Sequence, residues 1–380
     1  MENKATLPQR LESLDMLRGF DLFMLVAVEP VLRALKHALD SPFFNTIMTQ
    51  FDHCKWEGFL MWDLVMPLFM FMAGVSIPFS LSKYKQGNSK ALIYKRIFKR
   101  VLLLWILGAM CQGNLLAFDA HTLRFYSNTL QAIAAGYLIA SMLYLHLNVR
   151  WQLLASCLML LGYWAVLTFV RVGDFGGGNF TPEGNLAEWI DRVVLGRWRD
   201  GVSWSADGSW SFSPGYQYTW ILSSVNFGVT VMSGLFAGHL LRTGIEAKKK
   251  ALYLALIGAA LVLWGWIWGF NFPIVKKIWT SSMTLLSSGY CFLLMGLFYY
   301  CFDCKKWTKG LGWLKFYGMN SILAYTLRCV ISFGCIATSL FFGLKQFLGD
   351  YYNVLIVAGE VTVVFLILMY MYKRKIFLRV

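Results

Sequence analysis

Residues 59–81 read FLMWDLVMPLFMFMAGVSIPFSL, a run in which Asp63 is the single ionisable side chain. A helix of about 20 apolar residues crosses a hydrocarbon layer about 30 Å thick, because each residue adds about 1.5 Å. We therefore predict that this run is a transmembrane helix.

Apolar stretches of similar length recur along the whole chain of 380 residues. We predict ten transmembrane helices, near residues 14–32, 59–81, 97–116, 129–147, 151–170, 220–241, 251–270, 283–302, 313–333 and 352–372. Hydrophobic residues make up 58% of the chain and charged residues 14%, against about 25% charged in soluble domains, and the mean hydropathy is +0.54. The predicted fold class is therefore all-α, a polytopic membrane protein with one domain over residues 1–380. A water-soluble globular protein is excluded.

The net charge of +15 comes from clusters of Lys and Arg in alternate connections. These clusters lie at residues 83–100, 242–250, 305–315 and 373–379. Because cytoplasmic loops are enriched in Lys and Arg, the alternation predicts that both termini lie in the cytoplasm. Anionic lipid headgroups account for the basic clusters, so no nucleic-acid partner is expected.

One predicted extracytoplasmic connection, residues 171–219, is long and contains GGGN, TPEG and WSADGSWSFSPGYQY. Connections of this length are usually functional or disordered, and the Trp and Tyr content argues against simple disorder. Aromatic faces beside polar donors suit a sugar ligand, but an interfacial aromatic belt explains the same composition equally well.

Neither cysteine chemistry nor a standard catalytic motif is indicated. The eight cysteines are scattered, and Cys301 and Cys304 form an isolated CxxC without the further ligands that a metal site needs, so no metal is expected. The chain has no GxSxG, HExxH or Walker motif, which disfavours a hydrolase, a zinc protease and a nucleotide-driven pump.

Besides Asp15 at the start of the first one, four carboxylates fall within the predicted helices: Asp21, Glu29, Asp63 and Glu360. An ionised side chain costs at least about 2.5 kcal/mol in mid-membrane, so such residues usually have partners and mark sites. Glu29 precedes Pro30, which disfavours helix and predicts that the first span ends there, at the outer mouth. Asp63 lies near the outer end of the second helix, and Glu360 is expected to have a structural partner.

The first predicted helix is the most polar, with Asp15, Arg18 and Asp21 three residues apart on one face. Two interpretations stay open. The group forms an internal ion pair at the cytoplasmic edge, or it contacts an anionic ligand that enters from the cytoplasm.

His53 has the most polar surroundings of the five histidines, in FDHCKWEGF just before the second helix. Imidazole changes protonation near neutral pH and acts as a base or carries an acyl group, so His53 is the best catalytic candidate. Taken by itself, an interfacial histidine is more often a polar anchor.

Several segments resemble the heparan-alpha-glucosaminide N-acetyltransferase family of transmembrane acyltransferases. LESLDMLRGFDLFMLV and HCKWEGFLMWDLVMPLFMFMAGVSIPFSLS are similar to its opening pattern, LDxxRG followed by HxxWxGxxxxDLxFPxFxFxxG. NTLQAIAAGY, KKIWTSSMTLLSSGY, GMNSILAY and YKRKIFLRV follow in the family's order. The likeness spans nearly the whole chain and is to bacterial-type members, which lack a large luminal N-terminal domain.

The resemblance implies transfer of an acetyl group from cytoplasmic acetyl-CoA to an amino sugar or related glycan on the other side of the membrane. It places the family's catalytic histidine on His53, and it suggests that Asp63 or Glu29 orients the imidazole. The mechanism stays open between a covalent acetyl-histidine and a ternary complex in which the histidine is a general base. Substrate contacts are expected from three further residues: Trp56, Asn320 and Arg18.

The phosphates of acetyl-CoA require cationic side chains on the cytoplasmic side. The third predicted helix begins with four such residues: Lys95, Arg96, Lys99 and Arg100. The same four residues are explained equally well as positive charges that face lipid headgroups.

The sequence departs from the family pattern in two places. Glu29 stands where relatives commonly carry Asn, and Met66-Pro67 stands in place of Phe-Pro. An ionised Glu only accepts hydrogen bonds, whereas Asn also donates them, so the acceptor pocket is expected to differ.

A secondary transporter for a sugar or small glycan is the alternative function, since it too would have intramembrane carboxylates and about ten spans. It would need neither a histidine at the outer mouth nor an acyl donor, so the acyltransferase is preferred. We further expect a homodimer embedded in membrane lipid, in a bacterial inner membrane.

Overall fold

The computed structural model describes residues 11–39, 41–85, 90–113, 115–116, 118–119, 121–213 and 218–378. Part of the predicted basic cluster at residues 83–100, namely 86–89, and residues 214–217 of the long connection lie outside these described residues. The helices are α1 (Glu12–Phe23), α2 (Glu29–Leu39), α3 (Pro42–Met48), α4 (Val65–Lys85), α5 (Lys90–Cys111), α6 (Thr129–His146), α7 (Val149–Phe169), α8 (Leu186–Leu195), α9 (Ser224–Arg242), α10 (Ala247–Gly269), α11 (Ser281–Phe298), α12 (Leu314–Met319), α13 (Ser321–Val330), α14 (Gly334–Phe341), α15 (Lys345–Leu348) and α16 (Tyr351–Lys373). The strands are β1 (Arg171–Val172), β2 (Phe175–Gly176), β3 (Val202–Trp204) and β4 (Trp210–Phe212), paired as two antiparallel hairpins.

Long apolar helices confirm an all-α polytopic membrane protein. In the described part of the chain, seven helices are long and apolar enough to cross a membrane: Met61–Ser82, Thr129–His146, Val149–Phe169, Ser224–Arg242, Ala247–Gly269, Ser281–Cys304 and Tyr351–Lys373. The pair α13 and α14, bent by 69°, makes an eighth if it counts as one span. The other two predicted spans coincide with the more highly charged helices α1–α2 and α5. The total of ten spans and the cytoplasmic termini stay predictions.

The centre of the molecule is a close crossing of α4 and α9, which also packs on α6. A Cβ atom at Gly74 would collide with the backbone carbonyl of Val231, and one at Gly234 would collide with that of Phe71. Small residues let membrane helices approach until their backbones touch, so these two glycines set the spacing between α4 and α9.

The first span does not end at Glu29, as the following proline had suggested. A π-helical turn, Met24–Val28, joins α1 directly to α2, and the N–H of Glu29 donates to the carbonyl of Met24. Pro30 then occupies the first turn of α2, where a missing N–H is tolerated. The prediction was wrong because the π-turn lets the helix continue past a proline.

The predicted span at residues 313–333 is also broken. The helix is interrupted at Asn320, between α12 and α13, and again before α14. At the second break, the carboxylate of Glu360 on α16 accepts the backbone N–H of Phe333 at 3.0 Å. The break leaves the N–H of Phe333 without a carbonyl acceptor in the helix, and Glu360 accepts it instead. The expectation that Glu360 has a structural partner is thus confirmed.

The long connection is folded onto α9. Its short helix α8 carries Glu188, whose carboxylate forms a bidentate pair with the wholly buried Arg199 at 2.8 and 2.7 Å. Asp191, also on α8, accepts the backbone N–H groups of Trp220 and Ile221 at 2.7 and 2.9 Å. These charge-assisted bonds fix the connection against the start of α9.

Candidate active site

His53 and Asp63 meet because the connection before α4 folds around one carboxylate. Asp63 lies on a 3₁₀ turn, and its Oδ2 accepts the backbone N–H groups of Leu60 at 3.0 Å and Cys54 at 3.3 Å. This turn brings the Nδ1 atom of His53 to 2.9 Å from Oδ1 of Asp63. The Asp63 side chain is 1% exposed, so its hydrogen bonds come from protein groups rather than bulk water.

Lys276 completes the cluster from the connection between α10 and α11. Its Nζ atom lies 3.2 Å from Oδ1 of Asp63 and 3.1 Å from Nδ1 of His53. Burial lowers the pKa of Lys276, and the charge of Asp63 opposes that shift. The two connections are joined by a backbone hydrogen bond from Gly58 to Ile274 at 2.8 Å. Lys276 is therefore held in place by both the ion pair and the backbone.

The contact with Asp63 indicates the tautomer of the imidazole. An ionised carboxylate accepts hydrogen bonds and cannot donate them, so in this contact Nδ1 of His53 donates a proton to Asp63. In this tautomer Lys276 donates to Asp63 and not to Nδ1, since both Nδ1 and the ammonium are donors. The neutral ring then has a lone pair on Nε2, and the His53 side chain is 45% exposed. An imidazole in this tautomer can act as a base or nucleophile through Nε2.

A cavity of about 310 Å³ opens on this cluster, and we call it the outer cavity. His53 and Lys276 line it. Its lining also includes residues from the start of α6 and from the segment that leads into α9: Ser127, Asn128, Thr129, Asp200, Tyr218 and Trp220. Polar groups and aromatic rings therefore surround the imidazole.

A second cavity, of about 360 Å³, lies toward the predicted cytoplasmic side, and we call it the inner cavity. Arg18 and Asp15 of α1, Arg100 of α5 and the C-terminal Phe377 line it. The guanidinium of Arg18 donates to the carbonyl of Met72 at 3.3 Å. Two guanidinium groups in one cavity favour an anionic ligand.

The two cavities share three lining residues, Phe69, Thr129 and Tyr325, which we call the neck. Phe69 comes from α4, Thr129 from the first turn of α6, and Tyr325 from α13. The neck therefore lies between a cavity that contains arginines and one that contains the imidazole.

The four predicted donor-binding residues fall into two groups. Arg100 lines the inner cavity together with Arg18, the residue predicted to contact substrate, and the guanidinium of Arg100 also lies 4.2 Å from the ring centre of Tyr137. The other three are exposed on the surface of α5: Lys95, Arg96 and Lys99.

Glu29 lies apart from the imidazole and pairs instead with two arginines. Its carboxylate contacts Arg33, and it accepts from Arg328 at 3.0 Å. Arg33 in turn donates to Asp52 at 2.9 Å, directly before His53. The expectation that Glu29 orients the imidazole by contact is corrected, since Glu29 reaches His53 only through Arg33 and the backbone.

Trp56 and Asn320 hold the fold together and do not line either cavity. The indole N–H of Trp56 donates to the carbonyl of Phe180, in the long connection, at 2.9 Å. The amide of Asn320 donates to the carbonyl of Ile376 at 3.1 Å and accepts the N–H of Leu378 at 3.0 Å. Both side chains thus use their polar groups to tie distant segments together, and their contact with substrate stays a prediction.

Sequence reasoning missed Lys276, Asp200 and the neck. Lys276 and Lys277 do carry a usable signal, because two lysines on a predicted extracytoplasmic connection run against the usual charge bias. No local signal distinguishes Asp200 from other carboxylates of the long connection. Among the described residues, no group of three or more metal-ligating side chains occurs.

The fold and site define a polytopic helical membrane protein with a His–Asp–Lys cluster between two cavities. Residues 10–180 match the family model described as heparan-alpha-glucosaminide N-acetyltransferase, catalytic. The human heparan-alpha-glucosaminide N-acetyltransferase is 28% identical over 373 residues, which covers 84% of this chain and 53% of that protein. The mouse protein of the same name is 26% identical over 375 residues, which covers 85% of this chain and 54% of that protein.

These matches confirm the resemblance to the heparan-alpha-glucosaminide N-acetyltransferase family that the motifs indicate. The chain spans about half the length of these relatives.

Proposed function

We propose that the protein transfers an acetyl group from cytoplasmic acetyl-CoA to the amine of an amino sugar on the extracytoplasmic side. The observation that carries the proposal is the pair of cavities that meet at the neck, with arginines in the inner cavity and His53 in the outer one. The names of the relatives support an N-acetyltransferase activity on glucosamine.

Acetyl-CoA would bind in the inner cavity. Its phosphates are anionic, and Arg18 and Arg100 offer planar donors that suit phosphate oxygens. The exposed cations of α5 would bind the outermost phosphates at the cytoplasmic surface: Lys95, Arg96 and Lys99. The narrow pantetheine arm would then extend through the neck and bring the thioester to the outer cavity.

His53 would act on the acceptor amine in the outer cavity. In a ternary complex, Nε2 removes a proton as the amine nitrogen bonds to the acetyl carbon, the carbon–sulfur bond breaks, and the CoA thiolate takes up a proton. In a two-step route, Nε2 first accepts the acetyl group and CoA leaves, and the amine then displaces the imidazole. In both routes Asp63 stabilises the cationic ring and Lys276 keeps Asp63 ionised.

Glu29 would have a positioning role through Arg33, which donates to the backbone carbonyl of Phe51 at 2.8 Å and to the carboxylate of Asp52. These bonds hold the segment that leads into His53. The proposal thus gives Glu29 an effect on the orientation of the imidazole, without contact with substrate.

The test uses purified protein in liposomes with glucosamine trapped inside, on the extracytoplasmic side of the protein. Acetyl-CoA added outside should give N-acetylglucosamine inside and free CoA outside. His53→Ala should reduce the rate by about 10² to 10⁴, as expected for loss of an acid–base group. The matched control is His37→Ala, which removes an exposed histidine of α2 and should leave the rate unchanged.

Rapid entry of unmodified glucosamine that is independent of acetyl-CoA, with no acetylated product, would support a transporter and reject the acyltransferase. Radiolabelled acetyl that remains on the protein without acceptor, and is absent from His53→Ala, would identify the two-step route.

A further inference from the structure

We propose that Asp200, Tyr218 and Trp220 of the outer cavity form the acceptor subsite, which binds one terminal hexosamine ring by its hydroxyl groups and one face. This inference rests on the acetyl transfer proposed above and assigns a role in it to the end of the long connection. The three residues line the outer cavity together with His53 and Lys276.

The position of Asp200 is fixed from both sides. Its neighbour Arg199 is wholly buried in the bidentate pair with Glu188. Its own Oδ1 atom accepts the indole N–H of Trp220 at 3.2 Å. Trp220 is anchored in turn, because its backbone N–H donates to Asp191. A carboxylate held in this way presents its acceptor atoms to the cavity in one orientation, which favours recognition of hydroxyl groups.

The two aromatic rings form a surface beside this carboxylate. Tyr218 and Trp220 lie with ring centres 6.0 Å apart and planes at 22°, so their faces are nearly parallel. Trp220 is 6% exposed and packs against Tyr126 and Phe227, which leaves little freedom for its ring. An amphipathic pyranose presents C–H groups on its faces and hydroxyl groups at its edge, so it fits an aromatic surface with an adjacent carboxylate.

The charges in the outer cavity determine how the bound hexosamine ring is oriented. A carboxylate next to the reacting amine would stabilise its ammonium form, which has no lone pair for attack. The amine is therefore placed toward His53 and Lys276, where the positive charge of Lys276 favours the neutral amine. Asp200 then binds hydroxyl groups at the far edge of the ring. A cavity of about 310 Å³ is at the small end for ligand sites, which limits the bound group to one ring.

The experiment measures acceptor and donor kinetics of Asp200→Asn in liposomes, with glucosamine and its 4-deoxy and 6-deoxy analogues. The matched control is Asp207→Asn, since Asp207 is an exposed carboxylate of the same connection that bonds only locally, to Ser209. Loss of a charged hydrogen bond should raise the KM for glucosamine by about 10-fold to 100-fold, with the KM for acetyl-CoA unchanged. Asp207→Asn should match the wild type.

The deoxy analogues separate a direct contact from a structural effect. The analogue that lacks the bound hydroxyl should be a poor acceptor for the wild type, while Asp200→Asn should discriminate little between it and glucosamine. Trp220→Phe keeps an aromatic face but removes the donor to Asp200, so it should give a smaller rise in KM.

If wild-type protein acetylates glucosamine but Asp200→Asn leaves its KM and the analogue preference unchanged, the subsite is wrong and the acyltransferase stands. If wild-type protein forms no acetylated product with any amino sugar, the proposed function itself fails.

Discussion

Replacement of Lys276 by Met tests whether its ion pair with Asp63 stabilises the cluster. The variant removes a cation that lies 3.1 Å from Nδ1 of the imidazole and 3.2 Å from Asp63. Asp63 then remains as a buried carboxylate with His53 as its ion-pair partner.

The size of the effect follows from the burial of the pair. The Lys276 side chain is 7% exposed and that of Asp63 is 1% exposed, so water cannot replace the lost partner easily. Removal of one partner from a buried ion pair costs about 3 to 5 kcal/mol of folding free energy. We expect a cost near the lower figure, because the imidazole of His53 stays 2.9 Å from the carboxylate.

The assay is the thermal unfolding midpoint of the purified protein, with the initial rate of acetyl transfer measured on the same preparations. Loss of one partner from a buried ion pair is destabilising, so the midpoint should fall. Lys276→Arg keeps the charge and should keep a midpoint closer to the wild type. Lys277→Met is the matched control, since Lys277 donates to the carbonyl of Lys55 outside the cluster. A Lys276→Met protein with the wild-type midpoint would refute the stabilising role of the ion pair.

Four further predictions follow from the site and the fold. Asp63→Asn keeps the shape of the side chain but removes the charge that selects the tautomer of His53. Turnover should therefore fall at least about 100-fold, while donor binding is retained. Turnover near that of the wild type would contradict this role of Asp63. Phe69→Ala widens the neck and should raise the rate with butyryl-CoA relative to acetyl-CoA, whereas an unchanged ratio would show that the neck does not select the acyl group. Burial raises the pKa of Asp191 to about 7, against about 3.9 in an unfolded chain, so its contribution to stability is complete below about pH 4 and is lost as the pH rises to about 7. The thermal unfolding midpoint should therefore decrease with pH between about 4 and 7 in the wild type and should decrease less in Asp191→Asn. An equally large decrease in the variant would show that another group causes this pH dependence. The topology is tested with single cysteines in place of Ala206 and Gly244, in a protein without reactive native cysteines. An impermeant thiol reagent should label these two cysteines from opposite sides of the membrane. Labelling of both from the same side would reject the predicted topology.

The helical membrane fold could be predicted from local sequence because the bilayer imposes it. In lipid each backbone polar group needs a partner within the chain, so a run such as residues 59–81 has little alternative to a helix. The same local reasoning found His53 and Asp63, which are ten residues apart and meet within one connection. It failed at Glu29, where a π-turn carried the helix past Pro30.

The sequence by itself thus determined that the chain is a helical membrane protein, and the motif around His53 singled out the side chain that we propose to react. Only the tertiary structure decided its surroundings. Lys276 is 223 residues from His53 in sequence and reaches it because two connections pair through their backbones. Asp200 joins the outer cavity because buried charges on α8 fold the long connection onto α9, and the neck exists because α4, α6 and α13 meet. Such contacts depend on how helices pack over long sequence separations, and helix packing is decided by the shapes of all the side chains at the interface together rather than by any local pattern.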